Sequence, residues 1–114
     1  MTWTRACSAA DLVPDTPLGA VVDGVPVCLV RTGGEVFAVH DECTHEAVRL
    51  SEGDVADGVI ECWRHGSCFD LRTGAVLNLP AVRSVAVYPV REVAHDVQVN
   101  VHDAPGSTST RDTP

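Results

Sequence analysis

The feature that most constrains this chain is a pair of short motifs, each with one cysteine and one histidine. Cys43-Thr44-His45 and Cys62-Trp63-Arg64-His65 are separated by sixteen residues. Thiolates suit zinc and iron–sulfur clusters, and imidazole suits zinc or iron. Two Cys and two His in paired spacing therefore predict a metal site whose ligands are Cys43, His45, Cys62 and His65.

The way the ligand types are paired bears on the choice of metal. A structural zinc finger usually joins Cys with Cys and His with His around a helix. Here both motifs are mixed, so each can give its Cys to one iron and its His to the other. That is the ligand set of a [2Fe–2S] centre in which two His replace two Cys. A zinc ion with mixed ligands is the alternative.

The residues around the predicted ligands resemble the Rieske motif. The likeness includes Cys-Trp-Arg-His-Gly-Ser from Cys62 and extends from about Trp3 to about Val101. Rieske proteins of cytochrome bc complexes carry a membrane anchor and an extra Cys in each cluster loop, and the two extra Cys form a disulfide. This sequence has Val48 and Arg64 at those positions. The chain therefore resembles the soluble Rieske-type ferredoxins that serve multicomponent aromatic-ring dioxygenases, and similar ferredoxins are linked to iron–sulfur assembly.

The resemblance implies an all-β fold, with an antiparallel barrel or sandwich as base and a small cluster-binding subdomain from about Asp41 to Pro80. Short strands separated by Gly turns favour the same fold class. We expect one Rieske domain over residues 1–103. Residues 104–114 are rich in Ser, Thr, Pro, Gly and Asp. Such a composition cannot form a core, so we expect a disordered tail there.

Local patterns place several elements. We expect an edge strand over Thr2–Ala6, a capping box with one helical turn at Ser8–Asp11, and a hairpin turn at Asp23-Gly24. Further strands are expected at Glu35–His40, Val59–Glu61 and Cys68–Leu71, and a closing hairpin is expected from Val82–Val90 with Asp96–Val101. Turns are expected at Gly33-Gly34 and Arg72–Gly74, a loop at Ser51–Gly58, and a rigid corner at Leu79–Ala81. Pro89 predicts an edge or a strand end.

By resemblance, the function is one-electron transfer and not catalysis. Electrons would pass from a flavin-dependent NAD(P)H reductase to a terminal oxygenase, with transient docking at the tip formed by His45 and His65. An oxygenase would need a further domain with a 2-His-1-carboxylate iron site. The alternatives are a small Rieske-like subunit of an assimilatory nitrite reductase and a structural zinc domain.

Composition and sequence patterns bear on the partners and the compartment of the protein. The net charge is −8 and the chain has no Lys, which argues against nucleic-acid binding. We find no signal-peptide pattern, no apolar stretch long enough to span a membrane, and no cysteine spacing typical of secreted proteins. We expect a monomer in a reducing cytoplasm.

The stretch from Glu35 to Glu61 contains eight acidic residues and one cation, Arg49. Such a run is usually a solvated face, but near the first motif it could steer a basic partner. The residues in question are Glu42, Glu46, Glu52 and Asp54, with Arg64 as the main nearby cation.

The other histidines and cysteines near the motifs are not predicted as ligands. We expect His40 at a strand end, Cys28 in the core, and Cys7 and Cys68 as free thiols. In the family a hydroxyl at the position of Ser67 donates a hydrogen bond towards a cluster sulfur. Phe69 stands where high-potential members have a Tyr that makes a second such bond. Trp63 could shield the cluster or fill its loop.

We predict a midpoint potential at the low end of the Rieske range, near about −150 mV, because the disulfide and the Tyr bond are missing. Phe69→Tyr should raise the midpoint and Ser67→Ala should lower it. Protein-film voltammetry of the three proteins measures both shifts. A wild-type midpoint above about +100 mV would contradict this account of the missing bonds.

Overall fold

The computed structural model describes residues 2–45 and 47–102 of the 114-residue chain. Glu46 and the tail predicted over residues 104–114 lie outside the described residues. Within the described part, no helix is long and apolar enough to cross a membrane. Short 3-10 helices span Ala9–Asp11 and Leu50–Glu52. The strands are β1 (Thr4–Ser8), β2 (Leu18–Val22), β3 (Val25–Thr32), β4 (Glu35–His40), β5 (Asp54–Ala56), β6 (Val59–Glu61), β7 (Cys68–Asp70), β8 (Val87–Tyr88), β9 (Val90–Val93) and β10 (Asp96–Val99).

The strands form three antiparallel sheets, which confirms the all-β prediction. The central sheet has the order β2-β3-β4-β8, and a second sheet has the order β1-β10-β9. The third sheet, β5-β6-β7, lies within the segment expected to form the cluster-binding subdomain. The fold is thus a base of two sheets that carries a smaller sheet.

The central sheet is buried on both faces, and β3 shows how. Successive side chains of a strand point to opposite faces. Val27 and Leu29 accordingly pack in one core with strands β10 and β1, while Cys28 and Val30 pack in another core with the proposed subdomain. All four are fully buried. The two cores are therefore separated by one sheet.

The N-terminal expectations hold with small shifts. The first strand starts at Thr4 and is an edge strand. The capping box is present, because the Ser8 hydroxyl accepts from Ala10 N–H at 3.2 Å and Asp11 accepts from Ser8 N–H at 3.2 Å. The hairpin with its turn at Asp23-Gly24 is formed, and β4 has the predicted bounds.

The loop predicted over Ser51–Gly58 is wrong. Leu50–Glu52 is a 3-10 helix, and Asp54–Ala56 is a strand that pairs with Val59–Glu61. The turn between the two strands is Asp57-Gly58, and both residues have positive φ, as a tight hairpin turn requires. Polar composition was therefore a poorer guide to this segment than its Asp-Gly pair.

The strand predicted over Val82–Val90 is also wrong in its first half, where residues 82–86 are not a strand. Pro89 separates two short strands that belong to different sheets. Before it, Val87–Tyr88 pairs with β4, and after it, Val90–Val93 pairs with β10. The closing hairpin is therefore β9 with β10, and the prediction that Pro89 marks a strand end is confirmed.

Gly74 should be far less replaceable than Gly24, although both have φ near +80°. A Cβ at Gly74 would overlap the carbonyl oxygen of Val85, whereas a Cβ at Gly24 would meet nothing within 4 Å. Each Gly→Ala change should cost about 1–2 kcal/mol for the left-handed backbone. Gly74→Ala should cost about 1–3 kcal/mol more for the overlap. Urea unfolding followed by circular dichroism compares them, and equal losses would contradict the steric argument.

Candidate metal centre

Two loops of the same construction carry the four predicted ligands. In loop 1, residues 43–48, the N–H of Cys43 donates to the carbonyl of Val48 at 2.9 Å. In loop 2, residues 62–67, the N–H of Cys62 donates to the carbonyl of Ser67 at 2.7 Å. Each bond joins a cysteine to the carbonyl five residues later. The backbone is therefore closed around each Cys and His before any metal is considered.

Loop 2 is the turn of a hairpin between β6 and β7. Gly66 N–H donates to the carbonyl of Cys62 at 3.0 Å, and Gly66 has φ of +80°. A left-handed backbone is readily adopted by Gly. Gly66 thus lets the chain reverse directly after His65.

Loop 1 is anchored by the buried carboxylate of Asp41. One oxygen accepts from Ser51 N–H and the other from the Ser51 hydroxyl, both at 2.7 Å. A guanidinium nitrogen of Arg49 lies 3.8 Å from Asp41 Oδ2. A buried charge is tolerated when it is paired and hydrogen-bonded. Asp41 therefore ties the chain before loop 1 to the chain after it.

A third loop, residues 75–86, lies against both ligand loops. Its Arg83 carbonyl accepts from the Thr44 hydroxyl at 2.7 Å, and its Ala81 N–H donates to Ser67 Oγ at 3.0 Å. The rigid corner predicted at Leu79–Ala81 lies within this loop. The third loop therefore holds the two motifs in a fixed relation, although they are far apart in sequence.

The structure brings all four predicted ligands together, as two distinct pairs. The thiols of Cys43 and Cys62 are buried in the same core and interact with each other. The rings of His45 and His65 are exposed, and their centroids lie 5.6 Å apart at an interplanar angle of 79°. The surface position of both imidazoles agrees with the resemblance.

This donor set fits a two-iron cluster better than a single ion. Among residues 2–45 and 47–102, no group of three or more His, Cys, Asp and Glu side chains is placed to hold one metal ion. Burial raises the pKa of the Cys62 thiol, and Cys43 raises it further, against hydrogen bonds from the backbone of Arg64 and His65. A ligating thiol must lose its proton, so positive charge is needed beside this pair. Two irons would supply that charge, one beside the thiol pair and one beside the imidazole pair.

Comparison with known families decides the assignment. Residues 2–89 match the family of the Rieske [2Fe-2S] domain. The chain belongs to this family. It carries one [2Fe–2S] cluster, and the zinc alternative is set aside.

The relatives of this Rieske chain include ferredoxins. It is 41% identical over 99 residues to the anthranilate 1,2-dioxygenase ferredoxin subunit of Burkholderia cepacia, covering 87% of this chain and 92% of that one. The ferredoxin of carbazole 1,9a-dioxygenase from Nocardioides aromaticivorans IC177 matches with a TM-score of 0.82 at 35% identity, over 87% and 97% of the chains. The protein is therefore a Rieske-type ferredoxin, an electron carrier and not itself a catalyst.

Two further solved structures bear on the partners of such chains. A complex of reduced oxygenase and oxidized ferredoxin in carbazole 1,9a-dioxygenase matches with a TM-score of 0.78 at 34% identity, over 85% of this chain and 91% of that one. A putative NADH-dependent nitrite reductase small subunit from Mycobacterium tuberculosis matches with a TM-score of 0.77 at 32% identity, over 86% of this chain and 93% of that one. Dioxygenase ferredoxins and nitrite reductase small subunits thus share the Rieske fold. The ferredoxin assignment therefore rests on sequence identity, which is 41% to the anthranilate 1,2-dioxygenase ferredoxin subunit.

His40 is placed away from the predicted ligands. It ends β4, and its neighbour Val39 faces the core that contains Cys43 and Cys62, so His40 faces the opposite side. Its Nδ1 lies 3.0 Å from the hydroxyl of Tyr88. The prediction that His40 is a strand-end residue is confirmed.

The three cysteines outside the motif form no disulfide. Cys28 is fully buried, which confirms the core prediction, and Cys7 is buried near the other sheet. Cys68 is partly exposed, and its thiol donates to the Gly66 carbonyl at 3.5 Å. Burial raises the pKa of all three thiols. Their protonated form therefore predominates at neutral pH, as for an ordinary buried thiol.

The aromatic residues of the motif lie on opposite sides of loop 2. Phe69 is fully buried in the same core as Cys43 and Cys62. Trp63 is 51% exposed, with the guanidinium of Arg64 6.0 Å from its ring centroid. Trp63 therefore lies on the outside of the loop and does not fill it.

The acidic run does not form one continuous surface. Asp41 is buried, and Glu35 pairs with Arg72 at 2.9 Å on the turn after β7. Of the residues expected to steer a partner, Glu42, Glu52 and Asp54 are exposed, and Glu46 lies outside the described residues. Arg83 joins Arg64 as a nearby cation, because its backbone is bonded to loop 1. The charge around the tip is thus mixed.

Four residues that support this Rieske site escaped sequence reasoning. They are Asp41, Thr44, Asn78 and Arg83, and each acts through a hydrogen bond to a residue at least ten positions away. Neither the residue type of Asp41, two positions before Cys43, nor that of Asn78, before Leu79-Pro80, indicates a supporting role. Thr44, inside the first motif, and Asp41, beside it, could have drawn attention by position alone.

Proposed function

We propose that Cys43, His45, Cys62 and His65 hold the cluster, with the two Cys on one iron and the two His on the other. The observation that supports this is the sorting of the donors into a buried thiol pair and an exposed imidazole pair. When bound, the cluster supplies one-electron oxidation and reduction. The thiols hold it on the protein side, and the imidazoles present the edge closest to a partner.

Ser67 is proposed to stabilise the reduced state. Its oxygen accepts from Ala81 N–H at 3.0 Å, and its side chain is almost fully buried. The hydroxyl proton can therefore be donated in another direction, and a bond towards a cluster sulfur would favour the extra negative charge of reduction. Phe69 has no hydroxyl to add a second bond.

The electron acceptor is proposed to be a terminal oxygenase that docks at the tip made by His45 and His65. The support comes from exposed apolar side chains there. Trp63 is 51% exposed, and Leu79 and Val82 are each 73% exposed. Val82 lies between the two residues of the third loop that are bonded to loops 1 and 2. Exposed apolar patches of this kind mark interaction sites.

The electron donor is proposed to be a flavin-dependent NAD(P)H reductase that uses the same tip at a different time. One tip for both partners fits a carrier that must release each of them quickly. We propose that the protein works as a monomer in the cytoplasm, where NAD(P)H is available and thiols such as Cys68 stay reduced.

Changing Cys62 to Ser should abolish the cluster, because thiolates anchor it. Cys68→Ser is the matched control, since this thiol lies beside loop 2 but is not a proposed ligand. His65→Cys should keep a cluster of lower potential, because a thiolate adds negative charge. Iron and sulfide analysis with EPR of the reduced proteins measures all three.

The ligand assignment predicts two irons and two sulfides per wild-type chain. A Cys62→Ser protein with an unchanged Rieske EPR signal would show that the assignment is wrong. Loss of the signal in Cys68→Ser, with Cys62→Ser intact, would move the ligand to Cys68.

Replacing Val82 by Ser should slow electron transfer to the oxygenase, because the apolar contact at the tip is weakened. The loss of about 1–2 kcal/mol of apolar burial corresponds to about a five- to thirtyfold lower second-order rate. Val21→Ser is the matched control, since Val21 is 67% exposed on β2 in the base. Stopped-flow oxidation of the reduced ferredoxin measures both, and equal slowing would contradict docking at the tip.

Salt separates steering by charge from apolar contact. If the acids near loop 1 steer the reductase, its reduction of this protein should slow as ionic strength rises, and Glu46→Lys should slow it further at low salt. The midpoint of the variant is measured alongside, since charge near the cluster also alters driving force. A rate that is flat with salt in both proteins would leave these acids as a solvated face.

A further inference from the structure

Beside loop 2, the side chain of Asn78 makes hydrogen bonds to the backbone of Cys68 and Gly66, next to a backbone hydrogen bond between two antiparallel segments. After the turn that follows β7, the chain runs back along that strand, and Leu77 N–H donates to the carbonyl of Cys68 at 2.8 Å. Asn78 Oδ1 then accepts from Cys68 N–H at 2.6 Å, and its Nδ2 donates to the carbonyl of Gly66 at 3.1 Å. One side chain thus supplies the acceptor and the donor that a further ladder residue would have supplied.

The two groups held by Asn78 lie on either side of Ser67. Gly66 precedes Ser67 and directly follows His65, while Cys68 opens β7. Both peptide units that flank Ser67 are therefore fixed from the third loop. A shift of the Ser67 backbone relative to the metal centre would have to stretch these bonds, while the bond from Ala81 N–H holds the Ser67 hydroxyl itself.

A primary amide is suited to this task because it has one acceptor oxygen and two N–H donors. Asp could accept from Cys68 but could not donate to Gly66, and Ala could do neither. Asn78 is exposed. Since water competes for exposed hydrogen bonds, its two bonds contribute modestly to global stability. Their effect should fall on the position of loop 2.

We propose that Asn78 is a positioning residue that fixes the Ser67 hydroxyl beside the cluster and so keeps the midpoint potential from falling. This inference rests on the proposed ligand set and on the proposed role of Ser67. Groups that orient the immediate neighbours of a metal centre tune its redox potential as well as its retention.

The first test compares Asn78→Ala with Gln98→Ala in the holoprotein. Gln98 is a matched amide, since it accepts from Arg91 Nε at 2.7 Å but lies on β10 in the sheet that contains neither ligand loop. We expect Asn78→Ala to lower the midpoint and to speed loss of iron to a chelator by about tenfold. Gln98→Ala should leave both unchanged. A wild-type midpoint and release rate in Asn78→Ala would overturn the proposal.

The second test asks whether Asn78 acts through Ser67, with a double-mutant cycle on the midpoint. If it does, Asn78→Ala should lower the midpoint in the wild type but not in a Ser67→Ala background. A shift of the same size in both backgrounds would overturn the proposal. So would a wild-type midpoint in Ser67→Ala, because Ser67 would then have no effect to be positioned.

If Asn78→Ala does not retain a cluster, Asn78→Asp replaces it in the same cycle. The Asp side chain keeps the acceptor for Cys68 N–H, and its added charge lowers the midpoint equally in both backgrounds. Support then requires that Asn78→Asp lowers the midpoint more in the wild type than in the Ser67→Ala background. An equal shift in both backgrounds overturns the proposal. Failure of the ligand set would appear separately, as a wild-type protein without a Rieske EPR signal.

Discussion

The metal centre depends on two backbone hydrogen bonds, from Cys43 to Val48 and from Cys62 to Ser67. Each closes a six-residue loop on itself, so a cysteine is held at the loop's base and a histidine near its tip. Because the loops are closed locally, part of the cost of ordering them is met by the polypeptide itself. The third loop then needs only a few bonds to set one loop against the other.

The arrangement of the sheets isolates this region from the rest of the molecule. The central sheet has a core on each face, and the cysteines of the motifs belong to one of them. The other core joins the central sheet to β1, β9 and β10 and contains none of the proposed ligands. Changes at the tip should therefore alter redox behaviour with limited effect on the base.

The same asymmetry suits an electron carrier. Buried thiols on one side and exposed imidazoles on the other give the centre one face towards the protein and one towards a partner. Apolar side chains beside the exposed face offer contact area, while the mixed charges of the tip limit how tightly one partner is held. A carrier that meets the proposed reductase and the proposed oxygenase in turn needs such moderate contact.

The sequence by itself determined the family, the all-β class and most strand positions. The residue types and spacing of the two motifs are local properties, as are the capping box at Ser8 and the turn at Asp23-Gly24. The fold brings the four predicted ligands together, and their role in holding the cluster stays a prediction. Only the tertiary structure decided which sheet each segment around Pro89 joins. Pro89 could be read as a strand end, but not as the point where the chain passes from one sheet to another. The contact of Thr44 with Arg83 spans 39 positions, and those of Asn78 with Cys68 and Gly66 span ten and twelve. The Thr44 contact forms only when distant segments have packed, and the Asn78 contacts only when the chain has turned back along β7, so no short sequence pattern encodes them.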